Sequence, residues 1–225
     1  MAAMTSRAVP KRVLHICLSP SWGGLEMYPG RVTPALYDAG WEVFGIALSD
    51  TRVAASLQDA GAQTLMFRSQ AHALCSVIRV LRYLKANDIR VVHAHKSGDM
   101  RLGALLATLW PEIRLFFTDH MGVKKPKKDI YHRWAYSKVS RLFSISQATY
   151  QRNLLAFPLP NSRIQQLYYG IDLTAYEPAL GEWSCKSMRR SLGIDEAAVA
   201  IALPGRISES KGHSCWVEAL TQLIN

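Results

Sequence analysis

Three histidines and two glycine-centred loops hold most of the chemistry that this sequence can support. His93 and His95 alternate within the apolar run Arg90–His95, so in a strand both project to the same side. His120 follows a further apolar run, Arg114–Thr118. Three imidazoles can ligate a metal, but no cysteine or carboxylate stands at ligand spacing beside them. The reading adopted is buried, hydrogen-bonded histidines at strand ends, with no metal site. The segment Gly23-Gly24-Leu25-Glu26 joins an apolar run to a helical one. Glycines there let backbone approach a ligand, and a helix start offers free N–H groups to an anion. The same residues also make an ordinary tight turn, and no G-x-G-x-x-G dinucleotide pattern is present. Arg206 and Lys211 flank a second such loop, where two cations suit a pyrophosphate, although ordinary surface charge reads the same way. Lys124-Lys125-Pro126-Lys127-Lys128 precedes Tyr131, His132, Arg133, Trp134 and Tyr136. Basic residues beside amphipathic aromatics suit an anionic membrane surface or a phosphorylated acceptor, and no nucleic-acid motif accompanies them. Glu26 and Asp119 are the carboxylates nearest these groups in sequence.

These residues need elements to hold them. Val13–Leu18, Trp41–Leu48, Gln63–Phe67, Arg90–His95, Arg114–Thr118, Arg141–Ile145 and Ile164–Tyr168 read as strands. Helical patterns fall between them: towards Asp38, at Arg52–Ala60, Ala73–Lys85, Leu102–Trp110, Tyr131–Val139 and Gln147–Leu155. Pro29 and Pro34 are expected to delay or kink the first helix. Alternation of this kind predicts a doubly wound parallel sheet, with ligands beyond the carboxyl ends of its strands. Ala197–Leu203 reads as one further strand, followed by a helix over Ser214–Leu223. The expected organisation is a first α/β domain over residues 1–175, a linker over 176–196 and the start of a second domain over 197–225.

With 225 residues, 49% of them hydrophobic, the chain can bury a sizeable core; its formal net charge of +10 favours anionic partners. Cys17, Cys75, Cys185 and Cys215 form no C-x-x-C pair and read as reduced thiols of a cytoplasmic protein. The first residues lack the apolar core of a signal peptide, and Leu102–Trp110 is too short to span a bilayer. Any membrane contact is therefore expected to be peripheral, on the inner face of the plasma membrane.

Taken in order, several stretches resemble glycosyltransferase family 4, the group 1 transferases. Leu14–Glu26 with its Gly-Gly-x-Glu resembles the first strand and loop of that family, and Phe117-Thr118-Asp119-His120 its Thr-x-His segment. Ile145–Thr149, Tyr169–Leu173 with Pro178, and Leu203–Arg206 to Lys211-Gly212 resemble three later segments. The resemblance implies a GT-B fold of two Rossmann-like domains. It also implies transfer of a sugar from a nucleotide-sugar donor to a glycan or lipid-linked acceptor, with retained anomeric configuration and without a metal or other cofactor. It would place His120 at the reacting centre, and Gly23, Gly24, Arg206 and Lys211 around the donor. Glu26 would belong to the first loop, on the acceptor side. Lys124, Lys125, Lys127, Lys128 and Trp134 fall where lipid-modifying members dock on membranes, which implies a role in cell-surface polysaccharide or lipopolysaccharide synthesis. Tyr168-Tyr169 stands where the family pattern has Pro-Asn, and the family's Glu-x7-Glu segment has no counterpart. The sequence is thus expected to stop soon after its second domain begins, with an incomplete nucleotide site. Two alternatives stay open on residues alone: a non-catalytic module binding phosphoglycan or anionic lipid, and a metal-dependent hydrolase using His93, His95 and His120.

Overall fold

Apolar runs of four to seven residues need neighbours on both sides to pair their backbone groups, and a parallel sheet supplies them. The computed structural model, which describes residues 10–123, 125–174, 184–205, 207 and 209–224, shows this arrangement. Its strands are β1 (Arg12–Cys17), β2 (Glu42–Leu48), β3 (Gln63–Phe67), β4 (Val91–Ala94), β5 (Arg114–Asp119), β6 (Val139–Ser144) and β7 (Ile164–Gln166). All neighbouring pairs are parallel, and the order is β3-β2-β1-β4-β5-β6-β7. The register sets His15 of β1 beside His93 of β4.

Strand periodicity divides the core between two faces. Leu14 and Ile16 enter a large cluster with Val92, Leu115, Phe117 and Leu142, while Val13 and Cys17 pack on the other face with Val43 and Ala47. Helices α1 (Gly24–Asp38) and α2 (Arg52–Asp59) belong to the second face. Helices α3 (Gln70–Cys75), α4 (Val77–Ala86), α5 (Met100–Leu109), α6 (Ile130–Ser137) and α7 (Gln147–Ala156) cover the first. Local capping fixes several helix starts: Thr51, Ser69, Asp129 and Ser146 each accept the N–H three residues on. No helix among the described residues is long and apolar enough to cross a membrane.

The structure differs from the sequence expectation in three places. Helix α1 runs unbroken through Pro29 and Pro34. Its inner face buries Glu26, Pro29, Gly30 and Thr33, and this packing outweighs the backbone hydrogen bonds the prolines forgo. The helix expected over Ala73–Lys85 is two helices that meet at Ser76. Ala197–Leu203 forms no strand: no ladder partner lies beside it among the described residues, and Val199 is 86% exposed. An isolated strand leaves its backbone groups unpaired, so none forms.

The chain divides into two compact units between Tyr169 and Gly170. In the second unit, α8 (Cys185–Ser191) is capped by Ser184, and Arg189 Nη1 donates to the carbonyls of Asp195 and Ala198. A single 3-10 turn, Glu209–Lys211, leads into α9 (His213–Ile224).

Helix α1 approaches α2 so closely at Gly30 that a Cβ there would lie 2.1 Å from Ser56 Oγ and 3.0 Å from Ser56 O. Gly30→Val is therefore expected to lower stability by about 2 kcal/mol despite its better helix propensity. Urea denaturation of the variant measures this, and an unchanged midpoint would show that the helices do not meet at this glycine.

Candidate functional site

Strand β1 lies between β2 and β4, so the chain leaves β1 towards one edge of the sheet and later returns on its other side. The loops after β1 and β4 must part there, which opens a crevice beyond their carboxyl ends. Most of the residues singled out from the sequence gather around it.

The loop after β1 is held from several directions. Leu18 N–H donates to Asp99 Oδ1 (3.0 Å), and Gln70 Nε2 donates to Leu18 O (2.8 Å). Ser19 Oγ donates to Glu26 Oε1 (2.8 Å) and accepts from Lys96 Nζ (3.3 Å). Glu26 thus ties the first turn of α1 back to the loop, and it is buried. Gly23 precedes α1 with extended backbone, and no side chain caps the helix. A Cβ at Gly23 would stand 3.3 Å from Glu26 Oε2, whereas one at Gly24 would meet nothing within 4 Å. The first glycine serves close packing, and the second leaves the helix start open.

The histidines form a connected row. His93 and His95 do share a side, with ring centroids 4.2 Å apart. His95 Nδ1 lies 3.2 Å from His120 Nε2, and His95 Nε2 lies 2.9 Å from Nδ1 of His15. His120 Nδ1 is hydrogen-bonded to the Tyr169 hydroxyl. His93 Nε2 instead meets Thr118 Oγ1 at 2.7 Å. Tyr28 of α1 packs against His95, His120 and Tyr169, with centroids 5.5, 5.3 and 5.0 Å away. Burial disfavours the charged ring, so His15 and His120 are each pushed down to about 4, and His93 and His95 well below the usual histidine range. All four are neutral at physiological pH. His15, His93 and His95 each offer a ring nitrogen within 4.8 Å of the others, so the group able to hold an ion differs from the expected set by His15 in place of His120.

Two buried carboxylates frame this row. Asp119 Oδ1 accepts the N–H groups of Met121 (3.3 Å) and Gly122 (3.1 Å) and so shapes the turn after β5. Gly122 takes a φ of +72°, and a Cβ there would come 2.9 Å from Arg152 Nη1. Asp99, at the start of α5, is pushed up to about 7 by burial, and its Oδ2 has no hydrogen-bond partner among the described residues.

The basic segment lies apart from the row. Lys127 N–H donates to Ala156 O (2.7 Å), and Arg133 Nε donates to Lys128 O (2.8 Å). Lys125 lines an open groove with Val123, Pro126, Arg152 and Leu155. Large apolar side chains stand exposed on this segment and nearby: Met121 (78%), Ile130 (88%) and Leu155 (76%). Trp134 is half-buried and packs on Tyr131. Lys211 is exposed in the second unit, just before Gly212. Lys124 and Arg206 lie outside the described residues.

Sequence reasoning missed His15, Ser19, Tyr28, Lys96, Asp99 and Tyr169 as members of this site. A signal for His15 existed: it lies within an apolar strand run, as His93 does in β4. Tyr28 and Tyr169 had none, because their approach depends on how α1 and the end of the first unit settle on the sheet.

The four neutral histidines link stability to pH. Their folded pKa values lie below the ordinary 6.5, so below that value the unfolded chain binds more protons than the folded one. Their stabilisation is complete above about 6.5 and is lost as pH falls towards about 4. Asp99, raised from 3.8 to about 7, acts in the opposite sense throughout this window, but it is one group against four. Unfolding free energy is expected to rise from pH 4.5 to 6.5 by more than ~1.4 kcal/mol per unit, the slope of one net proton. Urea titrations at a series of pH values measure it, and a flat profile would mean that the row is charged or exposed.

Several solved structures share this fold. A glycosyltransferase from Rickettsia africae ESF-5 superposes with a TM-score of 0.77 at 18% identity, covering 95% of this chain and 57% of its own. Anabaena HepE, solved with UDP and glucose, superposes with a TM-score of 0.67 at 18% identity over 94% of this chain and 58% of its own. A lipopolysaccharide outer core galactosyltransferase, WaaB, gives 0.55 at 12% identity, over 72% of this chain and 46% of its own. The first of these structures establish the GT-B type of the fold, and the chain spans less than two thirds of their length. A search of curated proteins by sequence returns no match. The model of Glycosyltransferase Family 4 matches residues 22–175, and the chain belongs to that family.

Proposed function

We propose that this chain serves transfer of a sugar from a nucleotide-sugar donor to a glycan or lipid-linked acceptor, with retention of anomeric configuration and without a metal. The observation that carries this reading is the switch-point crevice, with the open start of α1 on one side and a neutral His120 on the other. Cleavage of the anomeric C–O bond develops negative charge on the departing diphosphate and positive charge on the sugar. At the reacting centre, His120 can hold a sugar through its backbone carbonyl, while its uncharged ring does not repel that positive charge. Gly23 and Gly24 let the donor approach the backbone, while Glu26 orders the loop through Ser19. Arg206 and Lys211 of the second unit neutralise the leaving group. Binding of UDP and of UDP-glucose by HepE supports a nucleotide-sugar donor.

The exposed Met121, Ile130 and Leu155, with Lys125, Lys127 and Lys128, support peripheral contact with an anionic membrane surface, a role also proposed for Trp134 and, by its place in the sequence, Lys124. Such a patch suits a lipid-linked acceptor on the cytoplasmic face, and WaaB's role in the outer core supports a place in lipopolysaccharide or cell-surface polysaccharide synthesis.

In a protein of the full length of the structural relatives, Arg206→Ala and Lys211→Ala are expected to lower kcat/KM for the donor by roughly a hundredfold, with acceptor binding little changed. Steady-state kinetics with a panel of nucleotide sugars decides this, and unchanged donor kinetics would remove the assignment. The metal-free reading has its own check. His15 and His95 already face one another through ring nitrogens, and His93 faces Thr118. Elemental analysis of purified protein should find no stoichiometric metal; one zinc per chain would revive a hydrolytic reading built on His15, His93 and His95.

A further inference from the structure

We propose that His15, His95 and His120 form one directed hydrogen-bonded row in which every ring donates through Nδ1–H, so that the Tyr169 hydroxyl, and not the His120 ring, is the polar group presented to the crevice. The argument is a count of protons. The contacts run His15 Nδ1 to His95 Nε2, His95 Nδ1 to His120 Nε2, and His120 Nδ1 to Tyr169 Oη. Each neutral imidazole carries one N–H and one bare nitrogen. Only two arrangements supply one hydrogen to each contact.

In the first arrangement, all three Nδ1–H groups donate along the row towards Tyr169. Every imidazole N–H is then used. The unpartnered Nε2 of His15, in the core, is a bare lone pair. The remaining hydrogen is the Tyr169 O–H, and Tyr169 is 37% exposed, where water or a ligand can accept from it. In the second arrangement, Tyr169 donates inwards and each ring carries its hydrogen on Nε2. His15 then holds an N–H at a fully buried atom that has no acceptor among the described residues. A buried N–H without a partner is the defect that folded proteins most consistently avoid. The first arrangement places the surplus donor at the wet end of the row, and the second places it in the dry core.

Burial keeps the three rings neutral, as the count requires, and holds the Tyr169 phenol up at about 12, so that its proton stays on. Both nitrogens of His120 are engaged within the row. His120 is then a positioning residue that acts through Tyr169, and the outward O–H selects an acceptor oxygen on the ligand. The identity of that oxygen, on a sugar or a phosphate, rests on the proposed transferase reading; the row does not.

Long-range proton–nitrogen correlation spectra of the 15N-histidine-labelled chain at pH 7.5 test the proposal without any substrate. The seven histidines are assigned by single substitutions. His15, His95 and His120 are expected as neutral Nδ1–H tautomers, against the Nε2–H preference of free imidazole. In Tyr169→Phe the fixed Nδ1–H pattern of His120 should be lost, while His93, bonded to Thr118 and outside the row, keeps its shifts. An Nε2–H tautomer at His120, a protonated ring anywhere in the row, or a His120 spectrum unchanged by Tyr169→Phe would each overturn it. Failure of donor turnover alone would count against the transferase reading and leave the row intact.

Discussion

Strand β1 is paired on both sides by parallel strands, with β2 reached directly and β4 only after an excursion through β3. A parallel neighbour requires a crossover over the sheet, and the two crossovers from β1's flanks run in opposite directions. The loops leaving β1 and β4 must therefore separate, and the gap between them cannot be closed by backbone. The remainder of the site follows from that constraint. Ser19, Gly23 and Glu26 hang from one side of the gap, and His95, Lys96 and Asp99 from the other.

The gap is lined with polar groups that the fold does not fully satisfy. His15, Asp99 and Asp119 each retain a buried polar atom without a partner among the described residues. Stability alone would favour apolar side chains at such positions. Neutral histidines are the least costly way to keep hydrogen-bonding atoms in a dry interior, because desolvation removes only their charged form.

Membership of the family and departure from its pattern meet at one residue. Where the family pattern has Asn, this chain has Tyr169, and a phenol reaches further than a carboxamide. It extends to His120 and packs on Tyr28, which stands on α1 just before Pro29. A kink in α1 at Pro29 would have withdrawn Tyr28 from the histidines, so the continuity of that helix matters to the site as well as to the core.

The order of strands and helices was legible because each face of a buried sheet imposes period two and each covering helix period 3.6, and both periods are carried by single residues. The first loop was legible because composition is restrictive there: Gly23-Gly24 stands between an apolar run and a helix. Helix α1 was misjudged because proline's local penalty is visible in sequence while the burial of Glu26, Gly30 and Thr33 that outweighs it is not. The strand expected at Ala197–Leu203 failed for the converse reason: the apolar run is local, but a strand needs a partner. By itself the sequence determined which segments could pack and which side chains carried chemistry. Only the tertiary structure decided that His15, His95, His120 and Tyr169, far apart in the chain, share one row of hydrogen bonds, because such contacts depend on sheet order and strand register, which no short window of residues contains.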